Sequence, residues 1–294
     1  MHYVYAMASR PGPVEAAILA ELSPTFTVRR RASGAVTLRY LEGGEGPPVC
    51  LIHGRGHAAT MWLPFLTALA ARHRVIAVDL PGFGHASSAP FHDGGAEEGL
   101  RFFVEPVEIM LRELGLAEAS LVGHSLGGLV SLELALRGNL SPPRLVLLDA
   151  MGLGPEMTTA SRVYFRAEPE RVARTAGAWL FRRISPLPPT PLGKRLESLE
   201  HELCSIPGGR RSAAAAFNAL FPLRGPAFHR KARLADVQVP SLVVWGEHDQ
   251  AFPVPVGIAA AAALPHARLE LLPLGHSPHL EAPERVLSLL ESFL

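Results

Sequence analysis

The sequence predicts an α/β fold with a mainly parallel central sheet, helices on both faces and an inserted helical cap. Two observations support this prediction. Short apolar segments of strand type alternate with helical segments through most of the 294 residues, which is typical of parallel sheets covered on both faces. Between residues 151 and 236 the alternation stops, and helical patterns surround a proline-rich turn. We therefore predict an N-terminal extension over residues 1–24, a core formed by residues 25–150 and 237–294, and a helical cap over residues 151–236.

The composition indicates a globular protein with almost no net charge. Hydrophobic residues make up 48% of the chain, enough for a sizeable core, and the net charge of +1 gives no reason to expect a nucleic acid or a membrane as partner. The two cysteines, Cys50 and Cys204, fall in a predicted core strand and in the cap, so we expect no disulfide. Neither a secretory signal pattern nor an apolar run of about 18 residues is seen. We expect a cytoplasmic location.

The first half of the chain alternates between strand and helix patterns. A short helix over residues 14–22 is expected to end at Ser23-Pro24, because proline disfavours helical backbone in the residue before it. Two strands joined at Ser33-Gly34 come next. The elements expected in chain order are the paired strands 25–31 and 35–41, strand 49–52, helix 60–71, strand 75–78 and helix 97–114.

The second half completes the sheet after the cap. Its expected elements are strand 119–122, helix 126–136, strand 144–149, cap helices 168–183, 193–204 and 210–221, and strands 240–246 and 268–272. Pro283 should open the last helix, since proline is tolerated in a first turn. Ligands of such sheets bind outside the carboxyl ends of the strands. Polar residues at those ends are therefore the first candidates for a functional site.

One pentapeptide has the pattern of a nucleophile elbow. Gly123-His124-Ser125-Leu126-Gly127 lies between strand 119–122 and a helical segment, the context in which Gly-x-Ser-x-Gly holds a serine at the tip of a sharp turn. The two glycines keep side chains out of that crowded turn. The positive end of the following helix is directed at the site. We predict Ser125 as a catalytic nucleophile.

A base and an acid follow Ser125 in the chain. A serine hydroxyl is a weak nucleophile at neutral pH, so it needs a base, and the base needs an orienting partner. His276 and Asp249 each follow a predicted strand, and the order Ser125, Asp249, His276 fits one known Ser–acid–His arrangement. We predict His276 as the base and Asp249 as the acid. Asp149, also at a strand end, is the alternative acid, and His279 is the alternative base.

A glycine-rich turn is the candidate oxyanion hole. His53-Gly54-Arg55-Gly56 follows the strand 49–52. Acyl transfer needs hydrogen-bond donors for the oxyanion, and the backbone N–H groups of Arg55 and Leu126 are the expected pair. His53 should stabilise this turn.

Other polar and aromatic residues receive weaker predictions. Asp79 should hold its own turn by hydrogen bonds to the backbone. His124, His57, Trp62 and Trp179 are candidate substrate-binding residues. The histidine spacings do not fit a metal motif, so we predict no metal site and no cofactor.

Taken together, these motifs resemble the α/β-hydrolase superfamily, over roughly residues 25 to 294. The resemblance is carried by His53-Gly54-x-Gly56, Asp79-Leu80-Pro81-Gly82-Phe83-Gly84, the Ser125 elbow, Gly246-Glu247-His248-Asp249 and Gly275-His276-Ser277-Pro278 with the residues up to Glu284. It implies the α/β-hydrolase fold. The motifs look most like those of the group that contains capped esterases, C–C-bond hydrolases and cofactor-free haloperoxidases. Haloalkane dehalogenases and epoxide hydrolases have Asp at the position of Ser125, which argues against both activities.

The expected function is that of a cofactor-independent serine hydrolase. An apolar pocket between core and cap favours a small or medium carboxylic ester, thioester or lactone as substrate. The alternatives are a C–C-bond hydrolase of a β-diketone-like substrate, a haloperoxidase or perhydrolase, and a non-catalytic ligand-binding protein. Many C–C-bond hydrolases have Asn where this elbow has His124, which disfavours the first alternative.

Overall fold

The computed structural model describes residues 10–91, 94–166, 190–204 and 210–294. Eight strands form one sheet; they are β1 (Phe26–Ser33), β2 (Val36–Gly43), β3 (Pro48–Ile52), β4 (Arg74–Val78), β5 (Ser120–His124), β6 (Leu145–Leu148), β7 (Ser241–Gly246) and β8 (Ala267–Leu272). Their order is β1-β2-β4-β3-β5-β6-β7-β8. β2 pairs antiparallel with β1 and β4, and every other neighbouring pair is parallel. The predicted mainly parallel sheet is therefore confirmed.

Helices cover both faces of this sheet. They are α1 (Pro13–Leu22), α2 (Leu63–Ala70), α3 (Gly95–Glu113), α4 (Leu126–Arg137), α5 (Thr159–Arg166), α6 (Pro191–Cys204), α7 (Arg210–Ala219), α8 (Val254–Ala263), α9 (Pro278–Glu281) and α10 (Pro283–Phe293). The predicted helix at 60–71 is divided: a 3₁₀ turn, Ala59–Trp62, precedes α2. Pro64 is placed in the first turn of α2, where the missing amide hydrogen costs no intrahelical bond. None of the described helices is long and apolar enough to cross a bilayer.

The sheet separates two hydrophobic clusters. Along β3, Cys50 and Ile52 belong to one cluster, whereas Val49 and Leu51 belong to the other. This alternation follows from the two-residue period of a strand. The central strands are apolar on both sides because helices cover both faces. Cys50 and Cys204 are both buried.

The segment between β6 and β7 is helical where it is described. We call residues 151–166, 190–204 and 210–236 the insert. It contains α5, α6, α7 and a 3₁₀ helix, Lys231–Asp236. α6 and α7 correspond to the predicted helices 193–204 and 210–221. The predicted helix 168–183, Trp179 and nearly all of the proline-rich turn lie outside the described residues.

The N-terminal helix α1 is tied to the core by a buried charged network that local sequence patterns do not predict. Ile18 and Leu22 of α1 are buried, and so is Glu15. The Glu15 carboxylate pairs with Arg39 at 2.8 Å and also contacts His85. Burial raises the pKa of Glu15, but the contacts with His85 and Arg39 outweigh it and lower that pKa to about 2. Glu15 is therefore ionised at neutral pH.

Arg39 extends this network to Asp79. The Arg39 Nε lies 2.8 Å from Asp79 Oδ2, and the Asp79 carboxylate also accepts the N–H groups of Ala59 at 2.7 Å and His85 at 2.8 Å. The backbone bonds match the predicted structural role of Asp79. The ion pair with Arg39 was not part of that prediction. The two residues are far apart in the sequence, so no local pattern indicates that they pair.

Candidate active site

Ser125 lies at the tip of a tight turn between β5 and α4. Its φ of 51° is in the left-handed region, which non-glycine residues adopt rarely. A Cβ at Gly123 would lie 2.2 Å from the Gly127 carbonyl oxygen, and a Cβ at Gly127 would lie 2.0 Å from that of Ile52. Both glycines are therefore required by close backbone approach. This geometry confirms the predicted turn and leaves Ser125 5% exposed.

A continuous hydrogen-bonded chain joins Ser125, His276 and Asp249. Ser125 Oγ lies 3.0 Å from His276 Nε2, and His276 Nδ1 donates to Asp249 Oδ2 at 2.9 Å. The other carboxylate oxygen of Asp249 accepts the N–H groups of Ala251 at 2.6 Å and Phe252 at 3.1 Å. These bonds fix the carboxylate, and the carboxylate fixes the ring orientation of His276.

The loop that carries His276 is held by Glu281 of α9. One Glu281 oxygen accepts the Gly275 N–H at 2.7 Å and the other accepts the Ser277 N–H at 3.0 Å. The two residues flank His276, so a single carboxylate fixes both sides of the loop. This role was not foreseen from the sequence, although an acidic residue one helical turn beyond the histidine is a usable signal.

A second contact on this loop comes from the elbow itself. His124 Nε2 donates to the His276 carbonyl oxygen at 2.8 Å. Burial lowers the pKa of His124 well below its ordinary value, and the nearby His279, His276 and His57 lower it further. The ring is therefore neutral at physiological pH, with its proton on Nε2. His124 therefore supports the His276 loop, and its predicted contact with substrate stays a prediction.

His279, the alternative base, is buried. Its ring packs 4.9 Å from the Trp62 ring and 4.3 Å from the His124 ring, centroid to centroid. Burial and the neighbouring His57 and His276 lower the pKa of His279 well below its ordinary value. His276, not His279, makes the hydrogen bond to Ser125.

The turn after β3 approaches the nucleophile closely. A Cβ at Gly54 would lie 2.7 Å from His124 Nδ1 and 3.3 Å from Ser125 Cβ. His53 braces this turn: its Nε2 accepts the Leu80 N–H at 3.0 Å, so its Nδ1 donates to the Gly54 carbonyl oxygen at 2.6 Å. The structure thus brings the Gly54–Arg55 segment next to Ser125 and agrees with the predicted role of His53.

Two side chains of this turn contact the insert. The Arg55 guanidinium lies 5.2 Å and 5.1 Å from the ring centroids of Phe165 and Phe217, within the range of cation–π attraction. His57 stacks on His124 with the planes 14° apart, and its Nε2 lies 3.7 Å from a Glu200 oxygen of α6. The turn is therefore packed between the nucleophile and the insert.

Of the two remaining candidate substrate-binding residues, Trp62 and Trp179, the structure describes only Trp62. The Trp62 side chain is 1% exposed and packs edge-on against Phe65 at 5.8 Å. This core position, which follows from its place between β3 and α2, favours packing over the predicted ligand contact. Trp179 lies outside the described residues.

Asp149 follows β6 and stands beside the Asp249–His276 pair. One carboxylate oxygen of Asp149, one of Asp249 and one ring nitrogen of His276 all lie within 4.8 Å of one another. His276 already faces Asp249 with Nδ1 and Ser125 with Nε2. The structure selects Asp249, not the alternative Asp149, as the partner of His276.

Comparisons with known proteins agree with this architecture. The model of the alpha/beta hydrolase family matches residues 51–289, and the chain belongs to that family. It is 34% identical to the dihydrolipoyllysine-residue acetyltransferase component of the acetoin cleaving system of Pseudomonas putida over 274 residues, covering 89% of this chain and 67% of the relative. It is 29% identical to the putative carbamate hydrolase RutD of Azorhizobium caulinodans over 242 residues, 80% of this chain and 86% of the relative.

A solved structure shows the same fold. The carboxylesterase CesB (YbfK) from Bacillus subtilis superimposes with a TM-score of 0.75 at 22% identity, over 95% of each chain. The fold predicted from the resemblance is confirmed, and the protein is a hydrolase of the alpha/beta hydrolase family.

Proposed function

We propose that the protein is a cofactor-independent serine hydrolase that cleaves a small or medium carboxylic ester, thioester or lactone through an acyl-enzyme on Ser125. The observation that carries this proposal is the hydrogen-bonded chain from Ser125 Oγ through His276 to Asp249, at 3.0 Å and 2.9 Å. Such a chain supplies the nucleophile, the base and the orienting acid that acyl transfer needs.

The first half-reaction forms the acyl-enzyme. His276 Nε2 takes the Ser125 proton as Oγ attacks the acyl carbon, and Asp249 stabilises the imidazolium that forms. The tetrahedral intermediate then collapses. The bond between the acyl carbon and the leaving oxygen or sulfur breaks, and His276 gives its proton to the leaving group. A lactone opens in the same way, and the hydroxyl that forms remains attached to the acyl chain.

The second half-reaction releases the acid. Water gives a proton to His276 and attacks the acyl carbon, and the Ser125 Oγ leaves with that proton. In both halves the oxyanion would be bound by the backbone N–H groups of Arg55 and Leu126. Leu126 is the first residue of α4, where helix geometry provides no acceptor within the helix. The close approach of Gly54 to Ser125 supports the position of the other donor.

The side chains around the site support an apolar acyl group. Phe165 and Phe217 of the insert pack against Arg55 and against each other, with centroids 5.2 Å apart. We infer that the insert acts as a cap over the site and that its aromatic rings limit the size of the acyl group.

The direct test is labelling with a fluorophosphonate, which reacts with activated serine nucleophiles. Mass spectrometry of the labelled protein should identify Ser125. Labelling should disappear in Ser125→Ala and fall strongly in His276→Ala. It should persist in Ser131→Ala, a control that removes another buried serine from the adjoining helix. Labelling elsewhere, or none in the folded wild-type protein, would contradict the proposal.

A substrate panel then distinguishes the reaction class. Activated esters of increasing acyl length, a thioester and a lactone should be cleaved, with turnover lost in Ser125→Ala. Preferential cleavage of a β-diketone would instead support C–C-bond hydrolysis, and turnover only with peroxide and a small carboxylate would support perhydrolysis. Ligand binding that is unchanged in Ser125→Ala, without turnover by the wild-type protein, would support a binding role.

A further inference from the structure

Asp149 is the second buried carboxyl group beside the catalytic candidates. Its side chain is fully buried, and its backbone has a φ of 40°. Its N–H donates to the Val244 carbonyl oxygen at 3.0 Å, and its Oδ1 accepts the Gly246 N–H at 2.8 Å. These two bonds to β7 hold the carboxyl group in one orientation between the ends of two neighbouring strands.

The other oxygen of Asp149 has no donor from the described residues. Asp149 Oδ2 is buried, and no N–H or O–H group in the described ranges reaches it. The nearby acid is Asp249, whose own oxygens accept three N–H groups, from Ala251, Phe252 and His276. A buried carboxylate oxygen without a donor, next to another carboxylate, is unfavourable unless one of the two groups holds a proton.

The charges around the pair decide which group holds it. Asp249 is stabilised as an anion by its three donors. Three titratable side chains lie near enough to Asp149 to affect its charge: Asp249 after β7, His276 after β8 and Glu281 of α9. Two of the three are acidic. Burial raises the pKa of Asp149 well above its ordinary value, and the neighbouring Asp249 raises it further. The proton therefore belongs on Asp149.

We propose that Asp149 is a positioning residue whose protonated Oδ2 donates a hydrogen bond to the Asp249 carboxylate. Asp249 then keeps the orientation in which it holds His276 toward Ser125. In this role Asp149 acts on the base only through Asp249. The inference rests on the proposed function, because it concerns the acid of the same catalytic chain.

Asp149 should hold its proton over the working pH range, because burial and the neighbouring Asp249 raise its pKa well above the ordinary value. Loss of this proton at alkaline pH would place two carboxylates side by side. Their repulsion would displace Asp249 and weaken its hold on His276. We therefore expect ester hydrolysis by the wild-type protein to decline on the alkaline side as Asp149 ionises.

Two variants separate the hydrogen bond from the backbone conformation. Asp149→Asn keeps an acceptor for the Gly246 N–H and offers a neutral N–H donor to Asp249, and asparagine tolerates a positive φ. Asp149→Gly removes the carboxyl group and also tolerates the positive φ. We expect kcat to fall by about 10- to 100-fold in Asp149→Gly with little change in KM, because the base is misplaced. Asp149→Asn should stay within about threefold of wild type, without the alkaline decline.

Infrared difference spectroscopy tests the proton directly and needs no turnover. At neutral pH the wild-type minus Asp149→Asn spectrum should contain the band of a protonated carboxyl group. Asp79 and Glu15 are intact in both proteins, so their contributions cancel. Absence of that band would overturn the proposal, as would equal losses of kcat in both variants with an unchanged pH profile.

The design also separates this inference from the proposed function. If the wild-type protein neither reacts with the fluorophosphonate nor cleaves an ester, the proposed function has failed, and the infrared band still decides whether Asp149 holds a proton. If the wild-type protein is active and both Asp149 variants match it in rate and pH profile, the positioning role alone is wrong. Should Asp149→Gly not fold, the Asp149→Asn profile and the infrared band remain decisive.

Discussion

The Glu202 carboxylate accepts a hydrogen bond from the Val14 N–H at 2.8 Å, although 188 residues separate the two in the chain. The other Glu202 oxygen accepts the Glu15 N–H at 2.9 Å. A Cβ at Gly12 would lie 2.2 Å from the Glu202 Cδ, so only glycine leaves room for this contact. The first N–H groups of a helix lack intrahelical partners and attract negative charge. Helix α6 of the insert therefore caps the N-terminal helix α1.

Replacing Glu202 by Ala should loosen α1. Loss of a carboxylate cap should lower the free energy of unfolding by about 1–2 kcal/mol, measured by urea denaturation. Amide hydrogen exchange in α1 should become faster, because its first turn loses both acceptors. Glu197→Ala is the matched control, since it removes an acidic side chain from the same helix. Unchanged exchange in α1 would show that Glu202 does not hold the helix.

Replacing Glu15 by Gln should destabilise the protein strongly. Glu15 is buried and accepts hydrogen bonds from Arg39 at 2.8 Å and from Thr60 at 3.1 Å. A neutral residue leaves the buried Arg39 with one partner fewer, which costs about 3–5 kcal/mol in comparable cases. Urea denaturation at neutral pH measures this loss. Glu21→Gln, at an exposed position of the same helix, should have a much smaller effect.

The same network should make the protein sensitive to acid. The pKa of Glu15 is about 2 in the folded protein and 4.5 ordinarily. A lowered carboxyl pKa stabilises the fold above pH 4.5, and this contribution is lost as the pH falls from 4.5 toward 2. Glu15→Gln has no carboxyl group at this position, so its unfolding should not show this loss of stability at acid pH. An identical acid profile of unfolding in the two proteins would contradict the assignment.

Removing the Glu281 carboxylate should reduce catalysis rather than binding. Glu281→Ala frees the N–H groups on both sides of His276, so the base loses its fixed position. We expect kcat to fall by about 10- to 100-fold with KM nearly unchanged, and Glu281→Gln should recover part of the rate through its remaining acceptor. Glu284→Ala, at an exposed position nearby, is the control. Steady-state kinetics on the best ester decide the outcome, and a change in KM alone would argue for a different role.

The buried imidazoles should make stability depend on pH below neutrality. The pKa values of His124 and His279 are lowered in the folded protein, so the unfolded chain binds more protons. Stability should therefore fall as the pH drops below 6.5, by about 1.4 kcal/mol per pH unit for each histidine. His279→Phe should remove one of these contributions and flatten the slope, because a phenyl ring fills the aromatic site without titrating.

Much of the candidate site can be predicted from the sequence because its pattern is local. The Ser125 elbow needs only a strand, two glycines at fixed spacing and a helix. Parallel strands place their carboxyl ends at one edge of the sheet, so residues after β5, β7 and β8 are expected to meet. For that reason the positions of Ser125, Asp249 and His276 in the chain predict that the three residues meet. The structure brings them together.

The contacts that the sequence does not reveal are those between distant segments. Nothing near Glu15 predicts Arg39, and nothing near Glu202 predicts Val14, because a buried ion pair or a cap supplied from elsewhere has no characteristic spacing. The helix over residues 14–22 could be predicted from its pattern, whereas its attachment to both core and insert could not.

The sequence by itself determined the fold class, the elbow and the order of the catalytic candidates, since each depends on backbone preference and on the period of apolar residues. The choice between Asp149 and Asp249 was decided only by the tertiary structure. Both residues follow buried strands that are neighbours in the sheet, and sequence position does not say which carboxylate faces His276 Nδ1. Side-chain direction and the donors around each carboxylate decide it, and these arise only when the packed loops after β6, β7 and β8 come together.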